Sequence, residues 1–502
     1  MSRLHDPNGS WRAKDTVGVI DTTLRDAQQC LWTTRMTTAM MLPIAERMDR
    51  VGYDQIDFMA PVQFDVCVRY LKENPWEKAR ILREKFTQTP LRGYCRSKSL
   101  VGFNLVPDDI VEMWIECLHA NGFSVVGTLD ALFDVDNMSV SIKHAKKIGM
   151  YSVAALVFCE SPVHTDEVYV RAAKQLVENA GVDGIMIKDS GALLTPERVK
   201  TLVPALKAVL GKDRSLELHT HSNTGLAPLV CLEAAKLGVD QIHTSIAPLA
   251  SGPAQPSVQG TMRNLGLSGF PVSLDRTEID AVSDYLTDLA AREGFPLGAA
   301  MDYDVFHYKH QMPGGMLANW RFQLEQAGLE DRFDEILEEI VQIREDLAWP
   351  IMVTPFSQII GVKAMMNVVG GERYASVADE IKMYALGHFG KLLGPVDSNV
   401  LDKIVSNGSQ QIALERAPLE PGRPALEKAF PNLPDEERLL RYMFPEGEIE
   451  SLVAAGPIKL TLNKNKPVED LLEALISRDS VKAFDVQRGD VHVSMSRLGP
   501  HG

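Results

Sequence analysis

Asp26, Lys188, His219 and His221 are the residues of this chain whose types could meet at one divalent metal ion. Asp26 lies in 21–29 (DTTLRDAQQ), Lys188 in 185–191 (IMIKDSG), and the two histidines in 218–225 (LHTHSNTG). In an extended segment, period two puts His219 and His221 on one side, with Thr220 opposite. Two imidazoles and a carboxylate suit Zn2+, Mn2+ or Co2+. Taken alone, H-x-H also fits an exposed pair at a strand end. Lys188 is the unusual member, because an ammonium repels a cation. A lysine amine that has reacted with CO2 is instead a carbamate, an anionic oxygen ligand. That reaction needs the neutral amine, and so a pKa lowered by burial or by a nearby metal. A plain Lys188–Asp189 charge pair is the other reading of the same residues.

Each of these stretches follows a short apolar run. Strand-like runs fall at 17–21, 55–59, 91–94, 124–129, 152–158, 184–188, 216–219 and 241–245. Helix-like segments separate them at 38–51, 75–85, 107–120, 139–147, 165–179, 196–210 and 227–237. Several of these begin with Pro, or with Ser, Thr or Asp before acidic residues, as helix starts do. Strict alternation favours an α/β fold with a parallel sheet. Eight strands with intervening helices predict a (β/α)8 TIM barrel over 15–300, whose active site belongs at the C-terminal ends of the strands. From about Ser273 the pattern becomes helical, at 276–293, 317–327 and 332–347, which predicts a mostly helical unit over 301–412. Residues 413–502 read as a proline-rich connection, exposed around 417–434, and a small C-terminal segment with a strand-like run at 458–462 and a helix at 468–477.

The bulk numbers agree with an enzyme. The 502 residues are 45% hydrophobic and 24% charged, ordinary for a globular chain with a large core. A net charge of −15 argues against nucleic-acid binding, which uses a basic patch. Cys30, Cys67, Cys95, Cys117, Cys159 and Cys231 form no C-x-x-C pair and read as reduced thiols of a cytoplasmic protein. The N-terminus shows no apolar signal segment, and no run approaches the roughly 20 apolar residues of a membrane span.

Residues 21–29, 187–194 (IKDSGALL) and 219–225 (HTHSNTG) together resemble the carboxyltransferase family, which includes pyruvate carboxylase, oxaloacetate decarboxylase α subunits and the transcarboxylase core subunit. The likeness continues through 310–319 (HQMPGGMLAN), 352–361 (MVTPFSQIIG) and 371–374 (GERY), and covers about 15–410. It implies that the helical unit is a carboxylase domain. It also implies that Asp26, Lys188, His219 and His221 hold a divalent metal, Zn2+ first, with Lys188 carboxylated. Arg25 and Gln29 would meet the substrate or the biotin ring. Arg92, in 91–93, would grip the substrate carboxylate, since a guanidinium fork binds one bidentately. The implied chemistry moves a carboxyl group between carboxybiotin and a 2-keto acid or related small acid, through an enolate that the metal and Arg92 stabilise. The sequence carries no A-M-K-M attachment signature, so biotin would arrive on a separate biotin carboxyl carrier protein, charged by a biotin carboxylase subunit. A homodimer or larger complex is also implied.

Two departures qualify this. Where the family has a Gly-Tyr pair after Arg92, a longer loop brings in Arg96 and Lys98 and ends in Gly102-Phe103, which puts Phe103 in the substrate-binding place without a hydroxyl. After the eighth strand, Pro253 stands where the family has a proton-carrying threonine. That keeps a second reading open: a biotin-independent lyase or aldol/Claisen-type enzyme of the HMG-CoA lyase-like superfamily. Those enzymes share the DTTLRD motif but lack the helical unit.

Overall fold

In the computed structural model the described residues are 16–313, 317, 324, 328, 330–462, 466–478, 480–488 and 491–496. Eight parallel strands close a barrel in chain order: β1 (Gly18–Asp21), β2 (Gln55–Met59), β3 (Leu91–Cys95), β4 (Val125–Leu129), β5 (Tyr151–Val157), β6 (Gly184–Asp189), β7 (Ser215–Thr220) and β8 (Gln241–Thr244). These are the expected strands, with ends shifted by about one residue. Nearly every strand residue is buried, as in parallel sheets covered on both faces.

Several of the surrounding helices start at side-chain caps. Thr37 accepts from the Met40 N–H, Asn74 from Trp76 and Glu77, Asp134 from Asp136 and Asn137, and Asp275 from Thr277 and Glu278. Each occupies N–H groups that a helix start leaves open. The Asp134 cap starts its helix at Val135, ahead of the expected 139. Several helical stretches were not predicted, among them Arg423–Ala429, Asp435–Met443 and Glu446–Ala454 in the C-terminal part and two in the barrel. Of the barrel pair, one follows β2, as Pro61–Val66 and Cys67–Leu71; the other, Val258–Leu267, follows β8.

Inward residues alternate along each strand. One half of the barrel interior is apolar, with Val125, Val153, Ala155 and Met186 packed about Tyr94. The other half is polar, with Gln55, Arg92, Glu217 and His243 wholly buried. Gly127 makes room for the Tyr94 ring, since a Cβ there would stand 2.5 Å from a ring carbon.

Helices Phe333–Asp346, Phe356–Gly370, Asp379–Ala385 and Ser398–Asn407 form the helical unit. Its core contains Ile336, Ile340, Phe356, Ile360 and Tyr384, joined by Ala131 and Leu132 from the loop after β4. The helix expected at 317–327 lies largely outside the described residues. The stretch expected as an exposed connection is tied down from its middle onward. Asp109 accepts from the Gly422 and Arg423 N–H groups, and Leu426, Leu439 and Leu440 join the outer barrel core. Residues 458–462 form no strand. A helix follows at Lys466–Ile476, then an antiparallel hairpin of β9 (Ala483–Arg488) and β10 (Val491–Ser496), where no strand is predicted. Among the described residues no helix is long and apolar enough to cross a membrane.

Candidate metal centre

β1 delivers Asp26. The Asp21 carboxylate accepts from the Thr23 N–H (2.9 Å) and hydroxyl (2.7 Å), turning the chain into a wide helical turn over Thr23–Ala27. Near the end of β6, Lys188 faces His219 of β7, and His221 follows two residues on. All four residues are buried.

The donor atoms converge. Asp26 Oδ2 lies 2.9 Å from His221 Nε2 and 3.1 Å from His219 Nε2, and the two imidazole nitrogens are 3.2 Å apart. Lys188 Nζ is 3.2 Å from His219 Nε2. His221 Nδ1 is 2.6 Å from the Pro253 carbonyl oxygen, so it must carry the hydrogen. With the hydrogen on Nδ1, His221 turns Nε2 toward Asp26 Oδ2 at 2.9 Å and Gln255 Nε2 at 3.0 Å, into the space shared by the donors. Two imidazoles, a carboxylate and a lysine amine in one buried place therefore fit a borderline divalent metal. Cys30 adds a sulfur: its Sγ and one donor atom each of Asp26 and His221 lie within 4.8 Å of one another.

Charge supports the cluster. Burial pushes the Asp26 carboxyl up, but Arg25 and Lys188 outweigh it and hold the group well below the ordinary carboxylate range. Burial lowers the Lys188 amine, with Asp26 opposing and Arg25 adding. Arg25 donates through Nε (2.9 Å) and one terminal nitrogen (2.6 Å) to Asp57, through the other to Asp26, and lies 4.6 Å from the centre of the Tyr94 ring. Among the described residues two of its five N–H groups make no hydrogen bond. The Gln29 amide oxygen is buried without a partner among the described residues.

Two residues stand otherwise than the resemblance implies. Arg92 makes no hydrogen bond to the four donors among the described residues. It is fully buried in the barrel interior, its terminal nitrogens both committed to Glu217 (2.8 and 2.7 Å) and its Nε to Gln55 (2.9 Å). Phe103 stands apart from the four donors, half-exposed in a cleft between the barrel rim and the helical unit, with Arg96, Asp130, Thr354 and Phe356. Among the described residues Arg96, in the same cleft, has a buried Nε without a partner and donates from a terminal nitrogen to the Val101 and Gly102 carbonyls. Pro253 meets the centre through its carbonyl, a use that needs no hydroxyl.

Residues that sequence reasoning missed complete the site. Gln255 Nε2 donates to Asp26 Oδ2 at 2.6 Å, its amide oriented by the Thr22 hydroxyl on its oxygen at 2.7 Å. Asp57 fixes Arg25, and His243 stands behind His219. Only Glu217 and His243 left a signal, as inward strand residues two before His219 and at the centre of β8.

The family described as Conserved carboxylase domain matches residues 308–474, and the family HMGL-like matches 130–285. The chain is 37% identical to a pyruvate carboxylase subunit of Methanocaldococcus jannaschii, over 94% of this chain and 84% of that protein. It is 30% identical to the methylmalonyl-CoA carboxyltransferase 5S subunit of Propionibacterium freudenreichii, over 91% and 96%. It is also 30% identical to the 2-oxoglutarate carboxylase large subunit of Hydrogenobacter thermophilus, over 93% and 72%. A carboxyl transferase domain of Rhizobium etli pyruvate carboxylase, solved with pyruvate, superposes with a TM-score of 0.82 at 25% identity, covering 90% of this chain and 80% of that one. With its barrel, helical unit and converging donors, the chain belongs to the family of biotin-dependent carboxyltransferases and is an enzyme of carboxyl transfer.

Proposed function

We propose that this chain moves a carboxyl group between biotin on a separate carrier protein and a small 2-keto acid, at a metal held by Asp26, carboxylated Lys188, His219 and His221. The convergence of these four side chains at the barrel mouth carries the reading. Burial favours the neutral Lys188 amine that reacts with CO2. The bound metal, Zn2+ by its donor set, would polarise the keto oxygen so that the electrons of the breaking C–C bond rest as an enolate. Arg25, held by Asp57, Asp26 and the Tyr94 face, presents its remaining N–H groups beside that oxygen. Gln29 offers its unpaired amide oxygen to an N–H donor such as the ureido group of biotin. The resemblance gives the substrate carboxylate to Arg92, which would have to leave Glu217 to take it; Arg96, without a carboxylate partner among the described residues, is the other arginine of that strand and its following loop.

The domain limits of 15–300, 301–412 and 413–502 belong to the same reading. So do a biotin carboxyl carrier and a biotin carboxylase subunit as partners, a homodimer, and a cytoplasmic location suited to six free cysteines. The conserved carboxylase match over the helical unit favours biotin dependence over the lyase-type alternative. The test is a transfer assay with zinc-loaded protein, a biotinylated carrier, and pyruvate, oxaloacetate and 2-oxoglutarate as substrates. Turnover should need biotin, stop on chelation, and be abolished in Lys188→Ala. Bond cleavage that ignores biotin would overturn the assignment.

A further inference from the structure

We infer that Glu217 and His243 are positioning residues for the metal ligand His219, and that with Arg92 they form a buried chain fixing which imidazole nitrogen faces the metal. The inference rests on the metal assignment above. The chain begins at Arg92, whose two terminal nitrogens donate to the two oxygens of Glu217 at 2.8 and 2.7 Å. Glu217 Oε2 lies 3.1 Å from His243 Nε2, and His243 Nδ1 lies 3.2 Å from His219 Nδ1. The rings of His219 and His243 meet edge to face, 5.0 Å apart at 68°. All four residues are fully buried.

The direction of the hydrogens follows from chemistry. A carboxylate held by an arginine only accepts, so His243 Nε2 carries a hydrogen. In the neutral ring Nδ1 is then bare, and it accepts from His219 Nδ1–H. That leaves His219 Nε2 bare, facing Asp26 and His221, which is the tautomer a metal ligand needs. His221 reaches the same state by donating to the Pro253 carbonyl. The two ligands are thus oriented by different means, one by a backbone oxygen and one by a side-chain chain that crosses the barrel interior. Arg92 and Glu217 cancel in charge, so the chain adds no net charge beneath the metal. An ion pair that only filled the barrel would not need His243 in contact with His219.

The test compares full-length His243→Leu, His243→Asn and His243→Gln with the natural chain. An Asn amide oxygen can accept at the place of Nδ1, whereas a Gln amide reaches Glu217 and misses His219. Chelator competition should show Zn2+ binding weakened roughly 10- to 100-fold in His243→Leu and His243→Gln, and largely restored in His243→Asn. The visible bands of the Co2+-loaded protein should shift in the first two and coincide with the natural chain in the third. Equal Zn2+ affinity and equal Co2+ spectra for all four proteins would overturn the inference while leaving the metal site intact. If His243→Leu does not fold, Asn against Gln decides alone, and indistinguishable behaviour of those two also overturns it. A natural chain that takes up no Zn2+ or Co2+ would instead sink the metal assignment on which the inference rests.

Discussion

Replacing Arg92 and Arg96 by leucine, one at a time, tests which of the two takes the substrate carboxylate. Arg92→Leu strands the Glu217 carboxylate in the barrel interior, where both residues have no solvent exposure. Removing one partner of such a pair costs about 3–5 kcal/mol, because the other charge stays buried and unpaired. Chemical denaturation should therefore show a much lower midpoint for Arg92→Leu, with activity falling further than folded protein because the chain behind His219 is broken. Arg96→Leu removes donations to two loop carbonyls, about 1–3 kcal/mol in all, and the guanidinium's place 5.9 Å from the centre of the Phe103 ring. Its main effect should be on the acid substrate. Losing a charge-assisted contact worth about 2–3 kcal/mol corresponds to a KM roughly 30- to 150-fold higher, with kcat less affected. Steady-state kinetics over the keto-acid panel, with unfolding curves of the same preparations, would settle the roles. A stable Arg92→Leu with a raised KM, beside an Arg96→Leu of normal KM, would refute the reasoning and give the substrate carboxylate to Arg92.

Two further outcomes follow from the packing and the buried histidines. Gly127→Ala places a methyl 2.5 Å from the Tyr94 ring, so it should cost about 1–3 kcal/mol and lower kcat by displacing the surface on which Arg25 rests; unchanged unfolding and kinetics would count against that support. His164 and His310 are each pushed down to about 3, by burial first, then for His164 by Arg344 and for His310 by His307. Their folded values lie below the unfolded 6.5, so the native state binds fewer protons, and stability should decline as pH falls from about 6.5 toward 3. Denaturation midpoints measured across that range should slope less in His310→Gln, and an equal slope would refute the assignment.

Much of this was legible in the sequence for a simple reason. Buried parallel strands are short apolar runs, and the turn after each one is where a barrel keeps its polar chemistry, so local composition marked both the strands and the metal-ligand candidates. Asp26, Lys188, His219 and His221 each sit at or just after a strand end, and that position can be read without knowing what lies opposite. Arg92 and Arg96 could not be told apart in this way. Both belong to one strand and its loop, and their roles depend on depth: the first faces inward one layer below Tyr94, and the second leaves the barrel for the rim. What occupies Arg92 is a carboxylate 125 residues away on β7, brought across by closure of the barrel. Gln255 meets Asp26 across 229 residues and His243 meets His219 across 24, and neither pairing has a local pattern. The sequence by itself determined the eight barrel strands and which residues stand at their ends, because those follow from hydrophobic period and turn chemistry. The tertiary structure alone decided which charges neutralise each other and which remain free for a ligand, because that depends on distances between strands that only the closed barrel sets.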